Sequence, residues 1–174
     1  LAMFCDIVPT LIDFAGGENP LLDGISLMGL WTDKKIKDHR KEVLISNVHP
    51  FWQKAIVTET YKLIWTGHPE REHIWGNFNS KGKFFAKPWA EWMEKAKSNK
   101  SAARKVERVL QPKAFELYDV VSDPYETKDL ASKASHEQRI KTLHQKLKAL
   151  MSACGESTIP PQLSHRNKKK NQTK

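Results

Sequence analysis

The side chains in this sequence that could do chemistry are two cysteines, a few histidines in irregular stretches, and lysines and arginines gathered in two places. Cys5 and Cys154 are too few for a disulfide scaffold or a four-cysteine zinc site, and they read as two buried free thiols. His68 and His73 stand five apart, with Glu70, Arg71 and Glu72 between them, which could begin a metal site. No third ligand spacing accompanies them, so solvated loop histidines are the favoured reading. His49, Pro50 and Trp52 close a strand-like run and put a histidine and an indole on one turn, open either to ligand contact or to a plain, partly exposed turn. Lys62 alternates with Tyr61 and Leu63; it either reaches for an anion or snorkels at a sheet edge, and the second is favoured.

Charge adds a second theme. Lys and Arg number 29 against 20 Asp and Glu, for a formal net charge of +9 and a pI near 9.5. The excess is local: residues 81–113 carry ten Lys or Arg against three Glu, and 156–174 carry five against one. Such a belt attracts polyanions, whether nucleic acid, acidic membrane or sulfated glycan, and it equally describes a solvated helix face. Asn99-Lys-Ser and Asn171-Gln-Thr match the glycosylation sequon, which has meaning only in a eukaryotic secretory setting.

The elements that would position these residues follow from periodicity. A chain of 174 residues, 39% apolar and with six Trp, is long enough for one domain with its own core. Over residues 6–16, Ile7, Val8, Leu11, Ile12 and Ala15 share a helical face, with Asp6 as the N-cap, Pro9 in the first turn and Gly16–Gly17 at the end. Residues 42–47 (EVLISN) read as a strand, and 54–58 (KAIVT) and 61–65 (YKLIW) as a hairpin across Glu59–Thr60. Residues 66–87 form a long surface connection, after which Pro88 opens a helix whose Trp89 and Trp92 are expected to be buried. A break at Ser98–Lys100 precedes a second helix, Ala102 to Leu110. FELYDV (115–120) is a further strand, and SDPYET (122–127) a turn set by Pro124 and by Asp123 bonding ahead. The last helix takes a capping box from Ser135 and Gln138, an apolar stripe of Ile140, Leu143, Leu147, Leu150 and Cys154, and Gly155 as its stop. From Glu156 onward the composition is that of a disordered basic tail. No apolar run approaches the roughly 18 residues of a membrane span, and any signal peptide would lie before Leu1.

Three stretches, in this order, resemble the C-terminal region of type I sulfatases: DIVPTLIDFAGG with LLDGISL, then AIVTETYKLIW, then FELYDVVSDPYETKDLA. The helix with paired Trp between hairpin and FELYDV looks like the heparan N-sulfatase (N-sulfoglucosamine sulfohydrolase) branch. The resemblance implies an α+β fold, a small antiparallel β-sheet with a C-terminal helix packed across it, the C-terminal subdomain of an alkaline-phosphatase-like sulfatase. It divides the chain into the end of the catalytic domain (1–31), the sheet-and-helix subdomain (32–155) and the tail (156–174).

Sulfatases of this family use a formylglycine made from a Cys/Ser-x-Pro-x-Arg motif, together with calcium held by clustered hard oxygen ligands. Cys5 is followed by Asp-Ile-Val-Pro and Cys154 by Gly-Glu-Ser-Thr, so neither is that nucleophile, and neither the Asp-Asp nor the Asp-Asn pair of the metal site occurs. No catalytic, cofactor-binding or metal residue is therefore assigned in this chain; calcium and formylglycine are expected in the missing N-terminal part. The resemblance implies that the parent hydrolyses sulfate esters or N-sulfates of glycans, that this chain alone is inactive, that its partner is the missing sulfatase domain, and that the compartment is periplasmic, secreted or lysosomal. His49 and Trp52 are the candidates for touching a sulfated sugar. The alternative is a free-standing basic module for nucleic acid or anionic glycan. It is disfavoured because no nucleic-acid motif appears and Trp65, Trp89 and Trp92 fall on faces expected to be buried. Expressed alone, the apolar faces of 7–15 and 140–154 should make the chain associate.

Overall fold

The computed structural model describes residues 1–18, 21–36, 38–47, 52–70 and 86–162. Its strands form where β-branched and aromatic residues concentrate: β1 (Glu42–Asn47), β2 (Gln53–Thr58), β3 (Tyr61–Thr66) and β4 (Phe115–Asp119), neighbours in the order β1-β2-β3-β4 in one antiparallel sheet. The β2–β3 turn is closed by Thr58, whose Oγ1 accepts from the Tyr61 N–H at 2.9 Å. In the β3–β4 pair Tyr61 stands opposite Asp119 and Trp65 opposite Phe115, which sets Leu63 against Leu117, both fully buried.

The chain divides into two compact units. The first holds Leu1–Ser46, Lys54–Trp65 and Phe115–Leu150. In it lie α1 (Ile7–Phe14) and α2 (Met28–Thr32), and the last helix crosses the sheet residues Tyr61, Trp65 and Phe115. Arg139 lies 4.1 Å from the Tyr61 ring centre, and the His144 ring stands edge-on to Trp65 at 4.4 Å and to Phe115 at 4.9 Å. The expected α+β arrangement, a small antiparallel sheet with a C-terminal helix across it, is thus present.

Among the described residues His144 Nε2 is buried without a hydrogen-bond partner, and burial first, then the Lys148 charge, hold its pKa below the usual 6.5. The unfolded chain therefore binds this proton more readily. Its contribution to stability is complete above the ordinary histidine pKa and declines as pH falls through that value. We expect urea midpoints to fall between about pH 7 and pH 5, and His144→Leu to remove most of that decline. Equal pH slopes in the two proteins would assign the decline to other groups.

The second unit holds Asn47–Gln53, Thr66–Ala114 and Met151–Lys174, and its core is a helix pair, α3 (Ala86–Ser98) and α4 (Lys100–Leu110), packed on each other. Helix α3 starts two residues before Pro88, which stays in the first turn where its missing N–H has no intrahelical partner to lose. Asn99 makes the break: its side chain accepts from the Ser101 and Ala102 N–H groups at 2.9 and 3.0 Å and caps α4. The expected burial of the paired tryptophans does not occur. Trp92 is 42% exposed and Trp89 half-buried, because α4 turns the small Ala102 and Val106 inward and leaves the indoles at the rim.

The last helix, α5 (Glu137–Ala153), begins at a 3-10 turn, Ala134–His136, and neither this turn nor its Lys133 N-cap carries the expected Ser135–Gln138 capping box. Its buried stripe is Leu143, Leu147 and Met151, while Cys154 is exposed and Cys5 half-buried, so neither thiol is the buried one expected. Gly155 ends the helix at φ +70°, with Glu156 N–H donating to Met151 O at 2.8 Å and Gly155 N–H to Ser152 O at 3.1 Å, the two bonds of a left-handed cap. No helix among the described residues is long and apolar enough to cross a membrane.

Candidate functional site

His49 and His73 lie outside the described residues. Trp52 is buried, and its carbonyl accepts from the Gly67 N–H at 2.9 Å. A Cβ on Gly67 would come within 2.6 Å of the Trp52 ring and 2.8 Å of Pro160, so a glycine is needed for this approach. His68 is committed at both nitrogens, Nδ1 to Glu70 at 3.2 Å and Nε2 to the Pro161 carbonyl at 2.8 Å. Lys62 neither snorkels nor reaches for a ligand: Nζ donates to both Glu126 carboxylate oxygens at 2.8 and 2.9 Å. Among the described residues no group of three or more His, Cys, Asp or Glu could hold a metal.

The turn after β4 is a set of three aspartates acting locally. Asp119 accepts from the Val121 and Ser122 N–H groups, Asp123 from the Thr127 hydroxyl and the Lys128 N–H, and Asp129 from the Leu117 and Ala131 N–H groups. Backbone donors, led by Ser122 for Asp119 and Lys128 for Asp123, hold both of those carboxyls below the usual range. Asp123 bonds ahead as the motif predicts, and these residues fix the chain path from strand to helix.

Asp6 departs furthest from its expected role as an N-cap. Its side chain does not cap α1 but is fully buried. Oδ1 accepts from Arg40 Nη2 and from the Ile25 N–H at 2.9 Å; Oδ2 accepts from the Met3 N–H at 2.8 Å and from Arg40 Nε at 3.1 Å, with His39 Nε2 also at 3.1 Å. The Arg40 guanidinium, before all other causes, holds the carboxyl well below the usual carboxylate range. Gly24 sits in the same corner, where an added Cβ would fall 1.9 Å from the Cys5 carbonyl oxygen. A carboxylate so occupied has no lone pairs left for a cation. The outer face of α1, by contrast, is bare: Leu11 is 61% and Phe14 74% exposed, with Phe4, Ile7 and Val8 beside them.

Among the described residues an open concavity lies within the helix pair. Pro88, Trp89 and Trp92 of α3 and Lys105, Val106 and Val109 of α4 line a cleft of about 270 Å³, with the Lys105 ammonium 5.4 Å from the Trp92 ring centre. With Trp92 exposed, burial of the indoles no longer speaks against a binding role.

No known family profile matches the chain, and no curated protein does. Solved structures do. A protein bound to its substrate D-glucosamine-2-N,6-O-disulfate aligns over 84% of this chain at 21% identity and TM-score 0.51. A candidate sulfatase from Bacteroides thetaiotaomicron aligns over 87% at 18% and 0.54, and a 2-O GAG sulfatase over 86% at 19% and 0.52. The chain shares its fold with part of these proteins. It spans about a quarter of their length, from 23% to 25%.

Proposed function

We propose that this chain is the C-terminal part of a type I sulfatase acting on sulfated glycans, of the heparan N-sulfatase type. The observation that carries the reading is the shared fold over 84–87% of the chain but only about a quarter of each solved structure, taken together with the three ordered sequence motifs. Residues 1–31 then end the catalytic domain, 32–155 form the closing subdomain and 156–174 the tail. The exposed apolar side of α1 supports this, since a surface of that kind is expected where a larger domain packs. Substrate chemistry of the N-sulfated kind is suggested by the glucosamine N,6-O-disulfate held by one structural neighbour.

The residues here do not fit the family's formylglycine or calcium. Cys5 lacks the Pro and Arg offsets and its Sγ lies 3.8 Å from Asp6 Oδ1, while the Asp6 carboxylate is filled by protein donors. Both groups belong to the preceding domain, and this chain contributes a wall of the substrate cleft. Of the two candidate sugar contacts His49 is kept as a proposal, whereas Trp52, buried and with its carbonyl bonded to the Gly67 N–H, is not offered as a sugar-facing side chain. The compartment follows the family: periplasmic, secreted or lysosomal.

The test joins sequence and assay. The chain alone should release no sulfate from N-sulfated or 6-O-sulfated glucosamine, and the chain joined to its preceding polypeptide should release it. A preceding coding region without a Cys/Ser-x-Pro-x-Arg motif, or sulfate release by the 174 residues alone, would end the reading.

A further inference from the structure

We propose that the cleft between α3 and α4 binds a sulfated saccharide, with a sugar ring against Trp89 and Trp92 and a sulfate on the Lys105 ammonium. Three features of the cleft point there. Its walls are indole, valine and proline, and indole faces carry the negative side of a quadrupole that attracts the polarised C–H groups of a pyranose. Its volume, about 270 Å³, lies just under the roughly 300 Å³ at which small-molecule sites begin, which suits a single ring. A cation lines it: the Lys105 ammonium lies over Trp92.

A solvated basic helix explains the charge but not the indoles. Trp92 stays 42% exposed on a helix whose neighbour offers apolar Val106 and Val109, so an aromatic wall and a cation stand side by side facing solvent. An unsulfated sugar would leave the cation unused, and an inorganic anion would leave the indoles unused. A single-stranded nucleic acid has both stacking faces and charge, but successive bases need a run of platforms, whereas this wall is two indoles three residues apart on one helix. The choice of sulfate as the anion rests on the sulfatase reading; the cleft itself does not.

The experiment is titration calorimetry of the 174-residue chain with a sulfated heparin tetrasaccharide, the same tetrasaccharide after desulfation, and an oligothymidine of equal charge. The sulfated sugar should bind about tenfold more tightly than the other two, and Trp92→Ala and Lys105→Glu should each weaken it by about tenfold. Lys133→Glu, an exposed charge reversal in the other unit, should change it by less than about twofold. Circular dichroism checks each variant, and Lys105, being exposed, carries the test if Trp92→Ala fails to fold. Equal losses from Lys105→Glu and Lys133→Glu would reduce the effect to bulk charge and overturn the site. Tighter oligothymidine binding with the same residue dependence would overturn it in favour of nucleic acid. Sulfate release by the longer protein is scored separately. Binding without release removes the hydrolase reading alone, and release without binding removes this site alone.

Discussion

Replacing Asp6 by alanine is expected to destabilise the unit that holds it by about 3–5 kcal/mol, the usual cost of removing one partner of a buried ion pair. The loss is large because several groups lose their acceptor together: Arg40, which is only partly exposed, His39, and the N–H groups of Met3 and Ile25. Against a typical total stability of about 5–15 kcal/mol, that is a substantial fraction. The pH dependence has a definite sign. The folded carboxyl is held below its unfolded pKa, so its contribution is complete above about pH 4 and is lost as pH falls through the acid range. Denaturant titrations should show the gap between the two proteins narrowing below that point. A gap under about 1 kcal/mol at neutral pH would mean that water replaces the carboxylate, and that Asp6 is not the hub the geometry describes.

The second large effect is at the sheet centre. Leu117→Ala should cost about 2–5 kcal/mol, the transfer of the lost methyl groups plus the cavity they leave. Leu117 is fully buried opposite Leu63, and its backbone is pinned on both sides: its N–H donates to Asp129 at 3.1 Å and its carbonyl accepts from Leu130 at 2.8 Å. The pinned backbone limits collapse into the void, which favours the upper part of that range. Leu63→Ala with Leu117→Ala should cost less than their sum, because the two truncations open one shared space. Urea midpoints with unchanged denaturant slopes would measure this, and strict additivity would show that the side chains do not share a cavity.

Local chemistry made much of this fold readable. The strands at 42–47, 54–58, 61–65 and 115–120 were legible because β-branched and aromatic residues cluster there between turn residues, and the structure bounds them within a residue. The Asp123 turn and the Gly155 stop were legible for the same reason, since a short aspartate bonding ahead and a glycine at positive φ act within a few residues. Helical spacing found α3 but misjudged its tryptophans. Periodicity places residues on a face, and only the partner helix decides whether that face is covered; here it offers Ala102 and Val106, too small to close over two indoles.

The sequence by itself therefore determined the four strands, the helices other than α2, their order and the lack of a formylglycine motif in this chain, because each depends on neighbours along the chain. Only the tertiary structure decided what the charged and aromatic residues do. It joined Asp6 to Arg40, 34 positions away, and Lys62 to Glu126, 64 away, turning a supposed helix cap and a supposed edge lysine into buried and half-buried fastenings. It also left Leu11, Phe14 and Trp92 in the open. A carboxylate gains most where water is excluded and several donors converge, and that condition arises from folding rather than from spacing.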